Sequence, residues 1–190
     1  MIARRLAHDR RGAAAMEFAL VAPVLCLVFA GIVDLGNMVY TRMRVRDALN
    51  TGAQHALVQA QDLTAAKGAQ LAADVARIVR NAGGAPFSDA TVLLNNGPTA
   101  TDTAEGARTS GSAAAVEQCY CPGVSYKATP PYTKTFTYGA AVACNSACTD
   151  GGTAAKFIRI TAARAYTPLF AGYGIVEAGT ISYTAEVQVG

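Results

Sequence analysis

Four cysteines in the C-terminal half of the chain are the residues best able to form covalent or metal-binding chemistry. They form two close pairs, Cys119-x-Cys121 and Cys144-x3-Cys148, with 22 residues between the pairs. Four thiolates could hold a structural zinc ion, but zinc ribbons usually place two residues inside each pair, and neither pair here has that spacing. Clustered cysteines of even number, in a region that a membrane anchor could hold outside the cytoplasm, favour disulfides. We therefore expect disulfides, with zinc as the alternative.

The pairing of these cysteines stays open, because four cysteines allow three arrangements. Cys119 and Cys121 would point to the same side of any strand that they share, and a bridge between such close neighbours would be strained. We expect cross-links between the two pairs, each contributing about 3 kcal/mol by restricting the unfolded chain. The fifth cysteine, Cys26, lies in an apolar block and is predicted to be a small apolar side chain in lipid.

A single carboxylate, Glu17, stands inside an apolar run of 21 residues from Ala13 to Val33. A charge in such a span costs on the order of 2.5–3.5 kcal/mol at the bilayer centre and less near the edge, so it usually has a partner. If the chain is cut before Ala13, the new α-amino group, with an ordinary pKa of roughly 7.7–8.0, is largely charged at neutral pH. Glu17 of one subunit could then pair with the amine of a neighbour. The alternative is that Glu17 reaches the headgroup region and has no specific partner.

Residue patterns typical of enzymes are absent from the sequence. The two histidines, His8 and His55, are distant in sequence from the cysteines, and no Ser–His–Asp set, HExxH motif, phosphate-binding loop or dinucleotide fingerprint occurs. The net charge of +3, with no tryptophan and no dense basic stripe, argues against nucleic-acid binding. We predict no enzymatic activity, no cofactor and no metal site.

The apolar run is long enough to cross a membrane. As a helix it would extend about 31 Å, against a hydrocarbon core of roughly 30 Å. Residues 1–12 before it carry four arginines, which favour a cytoplasmic N-terminus. A cleaved signal peptide would have a shorter apolar region followed by polar sequence, whereas here a helical pattern continues. We expect a leader at 1–12 and a transmembrane helix at 13–33.

Apolar residues beyond this span recur at three- and four-residue intervals, which predicts an amphipathic stalk helix over 34–61. These positions are Leu35, Met38, Val39, Val45, Leu49, Ala53, Ala56 and Leu57. A second helix is predicted over 64–81, where apolar residues keep the same spacing and a glycine-rich stop follows. Residues 95–115 are rich in small and polar residues without periodicity, which predicts a long flexible loop.

The rest of the chain predicts β-strands. Residues 91–94 are a candidate first strand, and residues 133–138 and 156–166 are rich in β-branched and aromatic side chains. Residues 181–189 alternate apolar and polar side chains, as a half-buried antiparallel strand does. We therefore predict an α+β fold, in which the long N-terminal helix is followed by an extracytoplasmic domain over 62–190 containing the second helix and a small antiparallel sheet with disulfides.

The junction around Gly12 resembles a prepilin processing site. A basic leader ends in Gly12, and Glu17 and Phe18 are the fifth and sixth residues after it, at the start of the apolar run. The resemblance is to TadE-like minor pseudopilins of the Flp/Tad pilus system, which is type IVb-like, and the region of the cysteines with the terminal strand is similar too. It implies a pilin-like fold, cleavage between Gly12 and Ala13, and an assembly and processing motif formed by Glu17 and Phe18.

The same resemblance implies a structural role in the bacterial inner membrane, with the N-terminus cytoplasmic and the C-terminal domain periplasmic. The processed protein would enter or prime an adhesive pilus. Its partners would be a prepilin peptidase, other pilins and pseudopilins, the assembly platform of the inner membrane, and membrane lipid. Two alternatives remain: an unprocessed single-pass protein whose outer domain binds another envelope component, and a soluble domain released by signal peptidase.

Overall fold

The computed structural model describes residues 11–82, 89–129, 134–171 and 178–189, so residues 1–10 of the expected leader lie outside the described part. Helix α1, Arg11–Val58, contains the apolar run and most of the predicted stalk. Among the described residues it is the one helix long and apolar enough to cross a membrane. A short 3₁₀ helix, Ala60–Asp62, follows it, and α2 spans Gly68–Asn81, beginning slightly later than predicted.

Among the residues that the structure describes, seven strands follow α2. They are β1 (Asp89–Leu94), β2 (Thr99–Thr103), β3 (Gly106–Ser110), β4 (Cys119–Tyr126), β5 (Lys134–Val142), β6 (Lys156–Tyr166) and β7 (Gly179–Val189). Five of them form one sheet in the order β3-β2-β1-β6-β7, whereas β4 and β5 pair with each other. Strand β1 is antiparallel to both of its neighbours. The predicted α+β class, with an antiparallel sheet after two helices, is confirmed.

The chain divides into two compact units. The smaller contains the described residues as far as Thr41 together with those between Tyr166 and Gly179, and the larger contains 42–165 and 180–190. The core of the larger unit combines buried residues of α1, α2 and the five-stranded sheet: Val45, Ala48, Leu49, Ala56, Leu71, Val75, Val79, Val92, Ile158 and Ile160.

The buried side of α1 is only partly the one that the sequence predicts. Val45, Leu49 and Ala56 are buried as expected, but Leu35, Val39 and Leu57 are exposed. The buried side includes Gly52, where an added Cβ would collide with the side chain of Val79 on α2. A glycine at this position permits the two helices to approach closely. The prediction missed this because it followed large apolar side chains and ignored the small residues between them.

Residues 95–115 are not the flexible loop that we predicted. They form β2, β3 and the start of a 3₁₀ helix, Ala113–Glu117. Asn95 and Asn96 turn β1 into β2, and both have positive φ, 48° and 60°. Two such residues are what a type I′ hairpin turn requires. The prediction was wrong because these strands carry small and polar side chains, although the asparagine pair was a usable turn signal.

The side chain of Asn95 fastens this hairpin to the rest of the larger unit. Its Nδ2 donates to the carbonyl oxygens of Ala115 (3.0 Å), Val116 (2.9 Å) and Gln118. Its Oδ1 accepts from the amide of Phe157 at 3.2 Å, and its own amide donates to the Phe157 carbonyl at 2.7 Å. Because Asn95 is fully buried, these bonds replace water that the group lost on folding.

A polar network joins β5 to β6 and β7. The carboxylate of Glu186 accepts from the Tyr138 hydroxyl and from Arg159, the latter at 3.3 Å. Arg159 also donates to the carbonyl of Phe136 at 2.8 Å. Burial, and then the bond to Glu186, raise the pKa of Tyr138 well above its usual value. The phenol, which is protonated at neutral pH in any tyrosine, therefore keeps donating to Glu186 at higher pH as well, and this bond joins the two-stranded pair to the larger sheet.

Two disulfides link β4 to the segment after β5. Cys119 pairs with Cys144, and Cys121 pairs with Cys148, with Cα–Cα distances of 5.0 and 5.6 Å. The expected cross-links between the two pairs are confirmed, and the structure selects one of the arrangements that the sequence left open. Since every sulfur of the cluster is bonded to another, none remains as a thiolate for zinc.

Candidate functional site

The residues predicted to direct processing and assembly lie in the first two turns of α1. Gly12, Ala13, Glu17 and Phe18 are all exposed, and an added Cβ at Gly12 would meet nothing within 4 Å. Ala13 and Glu17 are four residues apart, so they share one face of the helix. The structure thus brings the predicted site residues into one exposed segment, with the Gly12–Ala13 bond in the first helical turn.

The apolar run of α1 makes few contacts within its own chain. In the most apolar stretch of 18 residues, only 17% is buried within the chain, whereas the core helix of a soluble protein would be mostly buried. Large side chains there expose 60–76% of their surface: Met16, Phe18, Leu20, Phe29 and Ile32. An apolar helix surface of this size requires lipid or other helices to cover it. The exposed free cysteine, Cys26, belongs to the same surface.

Glu17 has no ion-pair or hydrogen-bond partner among the side chains that the structure describes. It therefore differs from Asp34, the next acidic residue of the helix, which is buried and fully bonded. A carboxylate without a partner at the start of an apolar run is available to a group from another molecule.

The sequence predictions missed Asp34, which follows the apolar run directly. One of its carboxylate oxygens accepts from the amide of Leu169 at 2.9 Å, and the other accepts from the amide of Phe170 at 3.0 Å. The hydroxyl of Tyr166 donates to the main-chain oxygen of Asp34 at 2.9 Å. These three bonds hold the segment 166–171, which follows β6, against α1. We call this arrangement the Asp34 clamp.

The hydroxyl of Tyr166 stays protonated in this setting. Burial, and then the negative charge of Asp34, raise the pKa of Tyr166 above its usual value. Tyrosine is already protonated at neutral pH, and the raised pKa extends to higher pH the range in which the phenol donates to the helix backbone. An acidic residue at the end of an apolar run was a signal that a partner exists. Its partners are more than 130 residues away in sequence, however, and no local pattern identifies them.

We expect Asp34→Ala to release the segment 166–171 from the helix. The change removes the acceptor of two part-buried amides, and a hydrogen bond to a charged group contributes about 1.5–3 kcal/mol. Hydrogen exchange at Leu169 and Phe170 should accelerate by at least about ten-fold in detergent-solubilised protein. Asp47→Ala, at an exposed acid of the same helix, serves as the control and should leave both amides protected. Unchanged exchange in Asp34→Ala would contradict the clamp.

Comparison with known families identifies the N-terminal part of the chain. Residues 12–54 match the model of the family described as TadE-like protein. The match begins at Gly12, runs through the apolar part of α1 into the predicted stalk, and covers less than a quarter of the chain. No match was found among curated proteins or among solved structures. The resemblance inferred from the junction at Gly12 is confirmed for this segment.

Proposed function

We propose that this protein, whose N-terminal helix is TadE-like, is a minor pseudopilin that is processed after Gly12 and is needed to assemble or prime a Flp/Tad pilus. The observation that carries the proposal is the family match, which begins at Gly12. This is the residue at which the arginine-bearing leader ends and the apolar run begins. The role is structural, and the chain is a substrate of the processing enzyme.

The geometry at Gly12 supports processing by a prepilin peptidase. The amides of the first helical turn have no acceptors within the helix, so this turn unwinds at low cost. Gly12 has open space around it, and a glycine lets the backbone of a substrate approach a protease cleft closely. Cleavage would leave Ala13 as the new N-terminus, four residues before Glu17.

The surroundings of Glu17 support a role in assembly. The carboxylate has no partner in its own described chain, and the new α-amino group of a neighbouring subunit would carry the opposite charge. The carboxylate or the α-ammonium alone would raise the free energy in apolar surroundings, and an ion pair between them compensates both charges. The exposed apolar side chains of α1 would pack against the helices of other pilins, with Phe18 next to the ion pair.

The cysteines support the proposed location. Before assembly, the protein would lie in the inner membrane with its N-terminus in the cytoplasm and its C-terminal domain in the periplasm. Two disulfides in the larger unit fit an oxidising compartment. The assembly platform of the inner membrane and other pilins and pseudopilins would then be its partners.

We expect protein extracted from cells that carry the pilus machinery to begin at Ala13. N-terminal sequencing and intact mass measure this directly. Gly12→Val should retain residues 1–12, because a branched side chain at the cut position prevents the close approach of the backbone to the protease cleft. Gly36→Val is the matched control, since Gly36 lies on the same helix and also has open space around it. An unaltered Met1 in the wild-type protein would overturn the proposal and favour an unprocessed envelope protein.

A further inference from the structure

We propose that the segment Tyr166–Phe170 is a second membrane contact, in which Leu169 and Phe170 insert into the lipid beside α1. The inference goes beyond pilus assembly, but it rests on α1 acting as a membrane anchor. The proposed occupant of this apolar surface is lipid, at the boundary between headgroups and acyl chains.

The Asp34 clamp sets the level of this segment along the helix. Leu169 and Phe170 are bonded through their amides to Asp34, which follows the last residue of the apolar run, Val33. Their backbone is therefore at the point where α1 leaves the predicted hydrocarbon span. A lipid surface surrounds the helix at that level if residues 13–33 cross the bilayer.

The ring of Phe170 extends below that level. It lines a groove together with Cys26, Phe29, Ala30 and Val33, all of which belong to the apolar run. At a rise of 1.5 Å per residue, Phe29 lies about 6 Å and Cys26 about 10 Å from Val33 along the helix. Interfacial segments bury their apolar side chains by roughly 5–10 Å, so Phe170 occupies the expected depth.

The segment exposes apolar side chains and no charge. Leu169 is 67% exposed, and Phe170 is exposed beside it. No residue from Ala165 to Ala171 carries a charge. An exposed leucine alone requires no explanation. Here, however, the apolar side chains continue the exposed apolar surface of α1, and lipid that covers the helix would reach them.

The amides of the two residues proposed to insert are also bonded within the chain. The amides of Leu169 and Phe170 are bonded to Asp34, and Pro168, which is buried, has no amide hydrogen. The Tyr166 hydroxyl is bonded as well. Backbone donors left unbonded would make insertion costly, since acyl chains cannot accept hydrogen bonds. The clamp therefore removes the cost of leaving these two amides unbonded in lipid.

A tryptophan scan can test this proposal cleanly, because the chain has no native tryptophan. Leu169→Trp, in the full chain reconstituted in phosphatidylcholine–phosphatidylglycerol vesicles, reports on the segment. Val24→Trp, at an exposed position in the middle of the apolar run, reports on the anchor. Tyr126→Trp, in the larger unit, is the water-exposed control, because Tyr126 (70% exposed) matches Leu169 (67%). All three sites are exposed, so the substitutions preserve the fold.

We expect lipids spin-labelled near the headgroup to quench Leu169→Trp at least about threefold more than Tyr126→Trp, with a blue-shifted emission. Val24→Trp should respond best to lipids labelled deep in the acyl chain. Adding Asp34→Ala to Leu169→Trp should lower the quenching by lipid toward that of the Tyr126→Trp control.

Three outcomes would overturn the inference, and they are distinguishable. In the first outcome, aqueous acrylamide quenches Leu169→Trp as strongly as Tyr126→Trp, while Val24→Trp responds to lipid. This result would mean that α1 is in the membrane but that the segment Tyr166–Phe170 does not contact lipid. If Val24→Trp does not respond to lipid, the anchor itself fails, and the inference fails with it. If the blue shift of Leu169→Trp disappears on dilution with lipid, the segment is covered by another copy of the chain.

Discussion

Glu17→Ala should leave the protein in the membrane fraction but reduce its incorporation into pili by at least about ten-fold. Without the carboxylate, the α-amino group of the neighbouring subunit would be left unpaired in apolar surroundings. Such a charge costs about 2.5 kcal/mol or more at the bilayer centre, which corresponds to roughly 60-fold in an equilibrium, and less near the edge. Immunoblots of membranes and of sheared pili measure the two properties separately.

Two further variants separate charge from other effects of the Glu17 substitution. Glu17→Gln keeps the size and the hydrogen-bonding capacity of the side chain but removes its charge, so it should fail as Glu17→Ala does. Asp47→Ala removes an exposed acid from the same helix outside the apolar run and should assemble normally. Normal incorporation of Glu17→Gln would show that no ion pair forms at this position.

Asn95→Ala should lower the free energy of unfolding of the larger unit by about 3 kcal/mol or more. The side chain lies within hydrogen-bond distance of four backbone groups, and its loss leaves the buried carbonyl of Val116 and the buried amide of Phe157 without this partner. A buried polar group left unsatisfied costs about 1–3 kcal/mol. Alanine also tolerates positive φ less well than asparagine does. Chemical unfolding of the oxidised, full-length protein in detergent measures the loss.

Asn96→Ala is the matched control for Asn95→Ala. Asn96 shares the turn and the positive φ, but its side chain is exposed. It should therefore lose only the backbone preference, about 1 kcal/mol. Equal losses in the two variants would mean that the hydrogen bonds of Asn95 contribute nothing to stability.

Short-range patterns predicted much of this fold. The apolar run of α1, the spacing in α2 and the alternation in β7 each depend on residues that are neighbours in sequence, and each predicted element is present. The junction at Gly12 is equally local, because the expected leader, the predicted cut position and Glu17 lie within a few residues of one another. The family match over 12–54 confirms that this segment can be recognised from its sequence.

Patterns without large apolar side chains were misinterpreted. Strands β2 and β3 carry threonine, alanine and aspartate where a typical strand carries valine or isoleucine, so residues 95–115 were predicted as a loop. The buried side of α1 includes Gly52, which allows close packing but has no side chain that a hydrophobic pattern would count. In both cases the partner surface, and not the local sequence, determines what is buried.

Local sequence was enough to predict a TadE-like segment beginning at Gly12, an apolar helix long enough to cross a membrane, and helices followed by a sheet with cysteines near it. The folded arrangement was needed to establish that Cys119 pairs with Cys144, that Asn95 joins β1 to the chain around Val116, and that Asp34 holds the amides of residues 169 and 170. These contacts connect positions from about 20 to more than 130 residues apart. Which distant groups meet depends on the order and register of the strands, and no stretch of neighbouring residues encodes that order alone.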